Sequence, residues 1–259
     1  MMERSRGYSK LTRIELNLFL RDPFATVFSL VLPLIMLLLL AAVFGGTAAG
    51  ERDEQGRLVF RGIAGADYYM TASVALVIAS MGLLTIPIHL AGYREAGILR
   101  RFRASSIPGW SLFGSQIGVA LTIGAAGSLI MVVVAKIVYS TQFPESVAGV
   151  LVAIIISTLC FAAIGFLMAA LVPTARAMQG ISLILFFLFW MVSGTAPPRA
   201  VLPSGVRTLS DSIPLTHALI AIQDPWFGQG WNWGELGILA LFTLAAAVPA
   251  LYLFSRDSG

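Results

Sequence analysis

Apolar residues run in long blocks along this chain, and polar residues collect between the blocks. Residues 24–44 carry no charge at all, and a helix needs about 20 such positions to cross hydrocarbon. Comparable runs follow at 68–90, 112–135, 147–172 and 236–254; a shorter one at 178–195 is dense in LILFFLFWMV. The pattern predicts six membrane-spanning helices, an even number that brings both ends of the chain to one side. Tyr68 and Tyr69 open the second run, where an aromatic belt is expected. The first 23 residues are charged throughout, and the run after them is too long for the apolar core of a leader, so no cleavable signal is expected. No repeat and no low-complexity linker divides the rest. The expected organisation is an interfacial segment over 1–23 and a single six-span domain over 24–259.

Composition agrees with a lipid solvent. Apolar residues are 58% of the chain and charged ones 12%, against about 45–50% and 25% in soluble domains; mean hydropathy is +0.86. The net charge of +4 means more when divided by side. Arg4, Arg6, Lys10, Arg13 and Arg21 precede the first run, Arg94, Arg100, Arg101 and Arg103 lie between the second and third, and Arg176 and Arg256 follow the fourth and sixth. That side holds eleven of the seventeen basic residues, and the other side eight of the thirteen acidic ones. Positive residues stay inside, so both termini are expected in the cytoplasm of a multi-pass protein of the cell membrane. The basic residues form no single solvated face, which argues against nucleic acid as a partner. One cysteine, Cys160, sits in an apolar run and excludes an intramolecular disulfide or thiolate cluster; a small buried hydrophobe is expected there.

Two segments on the cytoplasmic side are too apolar to float free. Over residues 8–21, at about 100° per residue, Tyr8, Leu11, Ile14, Leu18 and Phe19 share a face, with Lys10, Arg13, Asn17 and Arg21 on another and Glu15 intruding at the apolar edge. This is the pattern of a helix lying in the interface, its basic side toward anionic headgroups or a partner, or of a simple topogenic anchor. In YREAGILRRFRASSIPGW, residues 93–110, a helix to about Arg103 would set Ile98, Leu99 and Phe102 on one face and Arg100, Arg101 and Arg103 away from it. Glu95 falls on the apolar side, where a carboxylate needs a partner. On the other side, residues 45–67 are mixed in sign and expected to be solvated. Residues 194–233 are too apolar for an open loop and too short and proline-broken for two more spans. Short re-entrant helices, covered by protein or facing water, are expected there as a lid or gate.

Much chemistry is missing. GxxxxGK[ST], HExxH and GxSxG do not occur, so the chain has no nucleotide loop and no such catalytic site. His89 and His217 stand far apart, no metal site is expected, and His89 reads as an interfacial residue. The cores of the runs lack Asp, Glu, Lys and Arg, which proton- or sodium-coupled carriers usually need at depth; Lys136 can reach outward from its span end. Any motor therefore lies in another chain. Phe186, Phe187, Phe189 and Trp190 in the fifth run could grip flat apolar molecules, or simply pack. Gly114 and Gly118 form a GxxxG near a span end.

The stretch REAGILRRFRASSIP resembles the segment between spans two and three of the ATP-binding-cassette (ABC) type-2 permeases, in particular daunorubicin-resistance-type drug permeases, with its form R-E-x-G-x-L-x-R followed by proline. A second stretch is similar to the family's segment between spans five and six: Ser193, Gly194 and Pro198, then Leu202 and Pro203, then IPLTHAL from Ile213. The resemblance covers nearly the whole chain. It implies an all-α membrane protein of six transmembrane helices, with an N-terminal amphipathic interface helix, a cytoplasmic coupling helix between spans two and three, and outer re-entrant helices between spans five and six. It also implies a complex of two permease subunits, identical or homologous, with two ATPase subunits. ATP and Mg would be held by the ATPase, and this chain would hold no cofactor and perform no catalysis. Arg94, Glu95, Gly97, Leu99 and Arg101, with Arg100 and Arg103 beside them, would form the coupling element; the interface helix, bearing Lys10, Arg13 and Arg21, would touch the same ATPase. Pro198, Pro203 and Pro214 would shape the outer gate. Relatives often carry arginine at the position of Gln223. The expected function is export of hydrophobic drugs, lipids or related molecules. A lipid-linked polysaccharide exporter keeps the fold and changes the substrate; a non-transporting anchor or sensor for a cytoplasmic partner is the reading from another class.

Overall fold

The computed structural model describes residues 15–98 and 110–256. Nine α-helices account for the architecture of these residues. Helix α1 covers 15–21 and α2 Pro23–Phe44. After a 45–64 loop come α3, Gly65–Glu95, and α4, Trp110–Tyr139. Helix α5 is Val147–Leu171 and α6 Ala175–Val192. Two short helices, α7 (Ser204–Ser210) and α8 (Pro214–Trp226), precede α9, Trp233–Arg256. Among the described residues the only extended pairing is an isolated bridge between Arg52 and Leu58. Helices α2 to α6 and α9 are the six that are long and apolar enough to cross a membrane. One face of the bundle carries α1, the end of α3 and the 172–174 connection; we call it the terminal face. The opposite, loop face carries 45–64, 140–146 and 193–232.

Helix α3 is the axis. Of its apolar window 89% is buried, against 22% for α2 and α9 and 17% for α6, and α2, α4, α5, α6 and α8 all pack on it. In lipid, apolar burial does not draw helices together, and close approach depends on small residues. Gly82 and Gly165 provide it here. A Cβ on Gly82 would lie 2.2 Å from the Phe161 carbonyl oxygen, and one on Gly165 would lie 2.4 Å from the Gly82 oxygen. Helices α3 and α5 therefore touch backbone to backbone. Gly127 lets α4 approach closely as well, here against side chains, with a would-be Cβ 2.7 Å from Val77 Cγ1.

Two of the spans share an irregularity with one cause. Residues Val27–Val31 of α2 and Met81–Thr85 of α3 form π-helical turns; the Leu32 amide bonds the Val27 carbonyl and the Ile86 amide bonds the Met81 carbonyl. Each turn is followed at the second position by proline, Pro33 and Pro87. Proline has no N–H for the carbonyl one turn back and its ring crowds that carbonyl, so the helix widens just before it. The two widened turns meet: Ser29 Oγ lies 3.1 Å from Thr85 Oγ1, both side chains buried.

The structure revises several expectations. Spans two, three and six are longer than their apolar cores. Tyr68 and Tyr69 do not form a belt: each is 1% exposed, and their hydroxyls donate to the carbonyls of Gly194 and Ala196 at 2.7 and 3.2 Å. They hold the start of the 193–232 segment to α3. The 45–67 loop is not simply solvated. Phe60 and Ile63 are buried, and Phe60 stacks edge-on against both tyrosines. On α1, the inward face is Glu15 and Phe19, one turn apart, while Leu18 and Leu20 point away from the protein. The residue that looked misplaced is thus an anchor.

Candidate functional site

Two sites lie at opposite faces of the bundle. At the terminal face, Asp22 caps α2, its Oδ1 accepting from the amides of Phe24 and Ala25 at 2.9 and 3.2 Å. Its other oxygen lies 3.0 Å from His89 Nε2 on α3. Burial raises the Asp22 carboxyl, but the His89 hydrogen bond and the capped amides outweigh it and hold the group below its ordinary value. Seven residues earlier, Glu15 receives the Tyr93 hydroxyl at 2.7 Å and the Gln116 amide at 3.0 Å on one oxygen. Helix α1 is therefore fastened to both α3 and α4. His89, expected at the interface, is one of its two fasteners.

The next residues of α3 carry the R-E-x-G sequence, and each position has a local reason. Arg94 donates to the carbonyls of Ala169 and Ala170, at 3.4 and 3.0 Å, in the last turn of α5. Glu95 Oε2 accepts from the Ala175 amide at 3.0 Å, the first residue of α6. A cation thus meets the negative end of one helix and a carboxylate the positive end of the next. Neighbouring residues clip the joint between α5 and α6 to the end of α3. The partner that Glu95 needs is thus found within the chain. Gly97 then ends α3 with φ +68, a left-handed conformation that glycine adopts at no steric cost. Leu99, Arg100, Arg101 and Arg103, and Lys10 and Arg13, lie outside the described residues; Arg21 is exposed at the end of α1.

The loop-face site is built around α8. Pro198, Pro203 and Pro214 each begin a short element: a single turn over Arg199–Val201, then α7, then α8. Their fixed φ suits helix starts. Helix α8 has 13 residues, too few to cross, and all are buried among α3, α5 and α9. Polar contacts hold both of its ends. Near the first end, His217 Nδ1 lies 2.5 Å from Glu235 Oε2 of α9, and its Nε2 lies 2.9 Å from the Asp211 carbonyl. The Glu235 hydrogen bond raises the His217 pKa above 6.5 against the opposing effect of burial, and the Asp211 carbonyl adds to the rise. Asp211 itself pairs with Arg199. At the second end, Arg61 donates to Gln223 Oε1 at 2.7 Å and to Asp224 Oδ1 at 2.8 Å. Gln223 donates onward to Thr71 of α3, and Asn232 donates to the second Asp224 oxygen.

A family model of the ABC-2 type transporters matches residues 7–227 of this chain. The chain belongs to that family. Comparison with individual curated proteins gives no match. The matched region takes in the terminal-face site and all of α8, ending before Asn232 and Glu235, and the protein is the multi-pass permease component of an ABC transporter, a transmembrane subunit without the ATPase site. Permeases of this family normally work with an ABC ATPase.

Three of the four aromatics of the permease's fifth span touch in a row, Phe187 stacking against both Phe186 and Trp190. Phe186 is fully buried; Phe187 is partly exposed and packs with Phe28 of α2 and with Trp190. Among the described residues, no group of three or more His, Cys, Asp or Glu side chains could hold a metal. Cys160 is buried and unpaired. Lys136 donates to the Thr141 carbonyl and lies over the Phe143 ring. Sequence reasoning missed the two fasteners of α1 and the role of Arg61. Each joins residues at least 67 positions apart, and no local pattern signals such a pairing.

Proposed function

We propose that this permease is the membrane half of an exporter for hydrophobic drugs or lipids, working as a pair and driven by two copies of a separate ATPase that bind ATP and Mg. On this reading the terminal face is cytoplasmic, in keeping with the eleven basic residues that the sequence assigns to that side of the spans, and α8 is the outer gate.

The observation that carries the reading is the Arg94–Glu95 clip. A coupling element must pass a displacement from a soluble motor to several spans at once. The segment after Gly97 begins where α3, α5 and α6 are tied together, and α1 is tied to α3 one turn above. A push on that segment is delivered to α3, the axis on which five helices pack, rather than to one loop. Arg100, Arg101 and Arg103 then suit an acidic groove on the ATPase, where charge-assisted hydrogen bonds are strong. The cores of the six apolar runs carry no Asp, Glu, Lys or Arg, which favours a hydrophobic cargo over an ionic one.

The test is recovery of the motor. The tagged permease is extracted from its own membranes, and the co-purifying chain is identified by ATP hydrolysis and by its P-loop peptide. Replacing Arg100, Arg101 and Arg103 together by Glu lowers its recovery by at least about tenfold at unchanged permease level. Equal recovery from the two forms would remove the coupling assignment.

A further inference from the structure

The loop between α2 and α3 reaches across the loop face. Its tip is a tight turn closed by Asp53, whose carboxylate accepts the Gln55 and Arg57 amides at 2.9 and 2.8 Å and pairs with the Arg57 guanidinium. That arginine also donates to the Ala200 carbonyl at 2.6 Å, gripping the turn before α7. Four residues on, Arg61 grips Gln223 and Asp224 of α8. Phe60 and Ile63 on either side are buried, 2% and 4% exposed, so the backbone that carries Arg61 is bolted to the aromatic cluster on α3.

Two features single out Arg61 within this loop. Its φ is +57, a left-handed conformation uncommon for a residue with a Cβ, so the chain is held in an unfavourable shape at the position where the guanidinium meets its acceptors. Its acceptors are buried as well: Gln223 is 0% and Asp224 5% exposed. A buried carboxylate is costly without a cation or donors, and Arg61 and Asn232 provide them. The seating of α8 therefore depends on a residue that belongs neither to α8 nor to any span.

We infer that Arg61 is the positioning residue of the outer gate: the 45–64 loop is a strap, and α8 leaves its seat only when the Arg61 contacts to Gln223 and Asp224 break. This rests on the assignment of α8 as the gate and of the loop face as external. His217 holds the other end of α8 through separate partners, and Thr71, Asn232, Gln142, Glu145 and Ser146 still bond the end that Arg61 grips, so loss of Arg61 loosens one end only.

The gate can be read without substrate, in the full-length chain in its membrane. Ala218 faces the core at 0% exposed, and Ala218→Cys in a Cys160→Ala background is probed in intact cells with a membrane-impermeant maleimide. Glu54→Cys on the exposed loop reports the side. The strap predicts slow labelling of Cys at 218, labelling faster by at least about tenfold when Arg61 is Ala or Gln, and near-normal protection with Arg61→Lys. Asp224→Asn, made from the other side of the pair, accelerates labelling as Arg61→Ala does, and stands in for it where that variant fails to accumulate. Unchanged protection at 218 in the Arg61 and Asp224 variants, with Cys at 54 labelled from outside, overturns the strap. If Cys at 54 reacts only after permeabilisation, the external assignment of this face fails instead.

Discussion

Single residues of this permease divide into those set by backbone shape and those set by a partner. Gly97 and Gly82 show the first kind at two different costs. A Cβ at Gly97 meets nothing within 4 Å, so Gly97→Ala carries only the left-handed backbone term, about 1–2 kcal/mol. Gly82→Ala drives a methyl into the Phe161 backbone, and α3 and α5 must part; a loss of about 3 kcal/mol or more is expected. Thermal unfolding in detergent of the two variants should rank them in that order. His217 shows the second kind. Both of its nitrogens face acceptors, Glu235 Oε2 and the Asp211 carbonyl, and a neutral ring can donate to only one. The folded pKa lies above the ordinary 6.5. Its contribution is therefore complete below pH 6.5 and declines as pH rises through the folded value. The Tm should be higher at pH 5.5 than at pH 8.5 by about 2–4 °C, and His217→Gln should remove most of the difference; a Tm difference that survives the substitution would assign it elsewhere.

Among the elements, what could be read in advance was what repeats locally. Six apolar runs gave six spans because a helix in lipid satisfies its own backbone and advertises itself in composition. Pro198, Pro203 and Pro214 marked helix starts because proline acts on its immediate neighbours. The R-E-x-G sequence could be located, but not that its first two residues cap α5 and α6, since capping partners 76 and 80 positions away leave no trace in spacing. The same holds for Tyr68 and Tyr69, which look like belt residues until the 193–232 segment folds over them. The facing π-turns of α2 and α3 are a further case. Pro33 and Pro87 announce a distortion in each helix, but that the two meet at Ser29 and Thr85 is tertiary. Removing the hydroxyl with Ser29→Ala should cost about 0.6 kcal/mol, the usual worth of a hydrogen bond between spans. Restoring a donor for each carbonyl with Pro33→Ala and Pro87→Ala should straighten the helices, seen as a changed reach between spin labels placed above and below the turns.

For the whole molecule, the two faces have different characters and one axis between them. At the terminal face, carboxylates and arginines tie α1, α4, α5 and α6 to the end of α3. At the loop face, tyrosines, Thr71 and the 45–64 strap tie α7 and α8 to its beginning. A displacement of α3 thus alters both sets of contacts. On the proposed reading the coupling segment and the gate would communicate through α3, which is buried over most of its length, with the Gly82–Gly165 contact the place about which it can bear on α5. The clip at Arg94 and Glu95 should therefore matter to coupling more than to assembly. Inverted membrane vesicles carrying the permease and its ATPase offer the direct measurement, ATP-driven accumulation of a fluorescent anthracycline. The wild-type complex should accumulate the dye, and Glu95→Ala should lose at least about tenfold of that rate while the ATPase stays bound and continues to hydrolyse ATP. Equal accumulation by Glu95→Ala, or none by the wild-type complex above vesicles lacking the ATPase, would contradict the account.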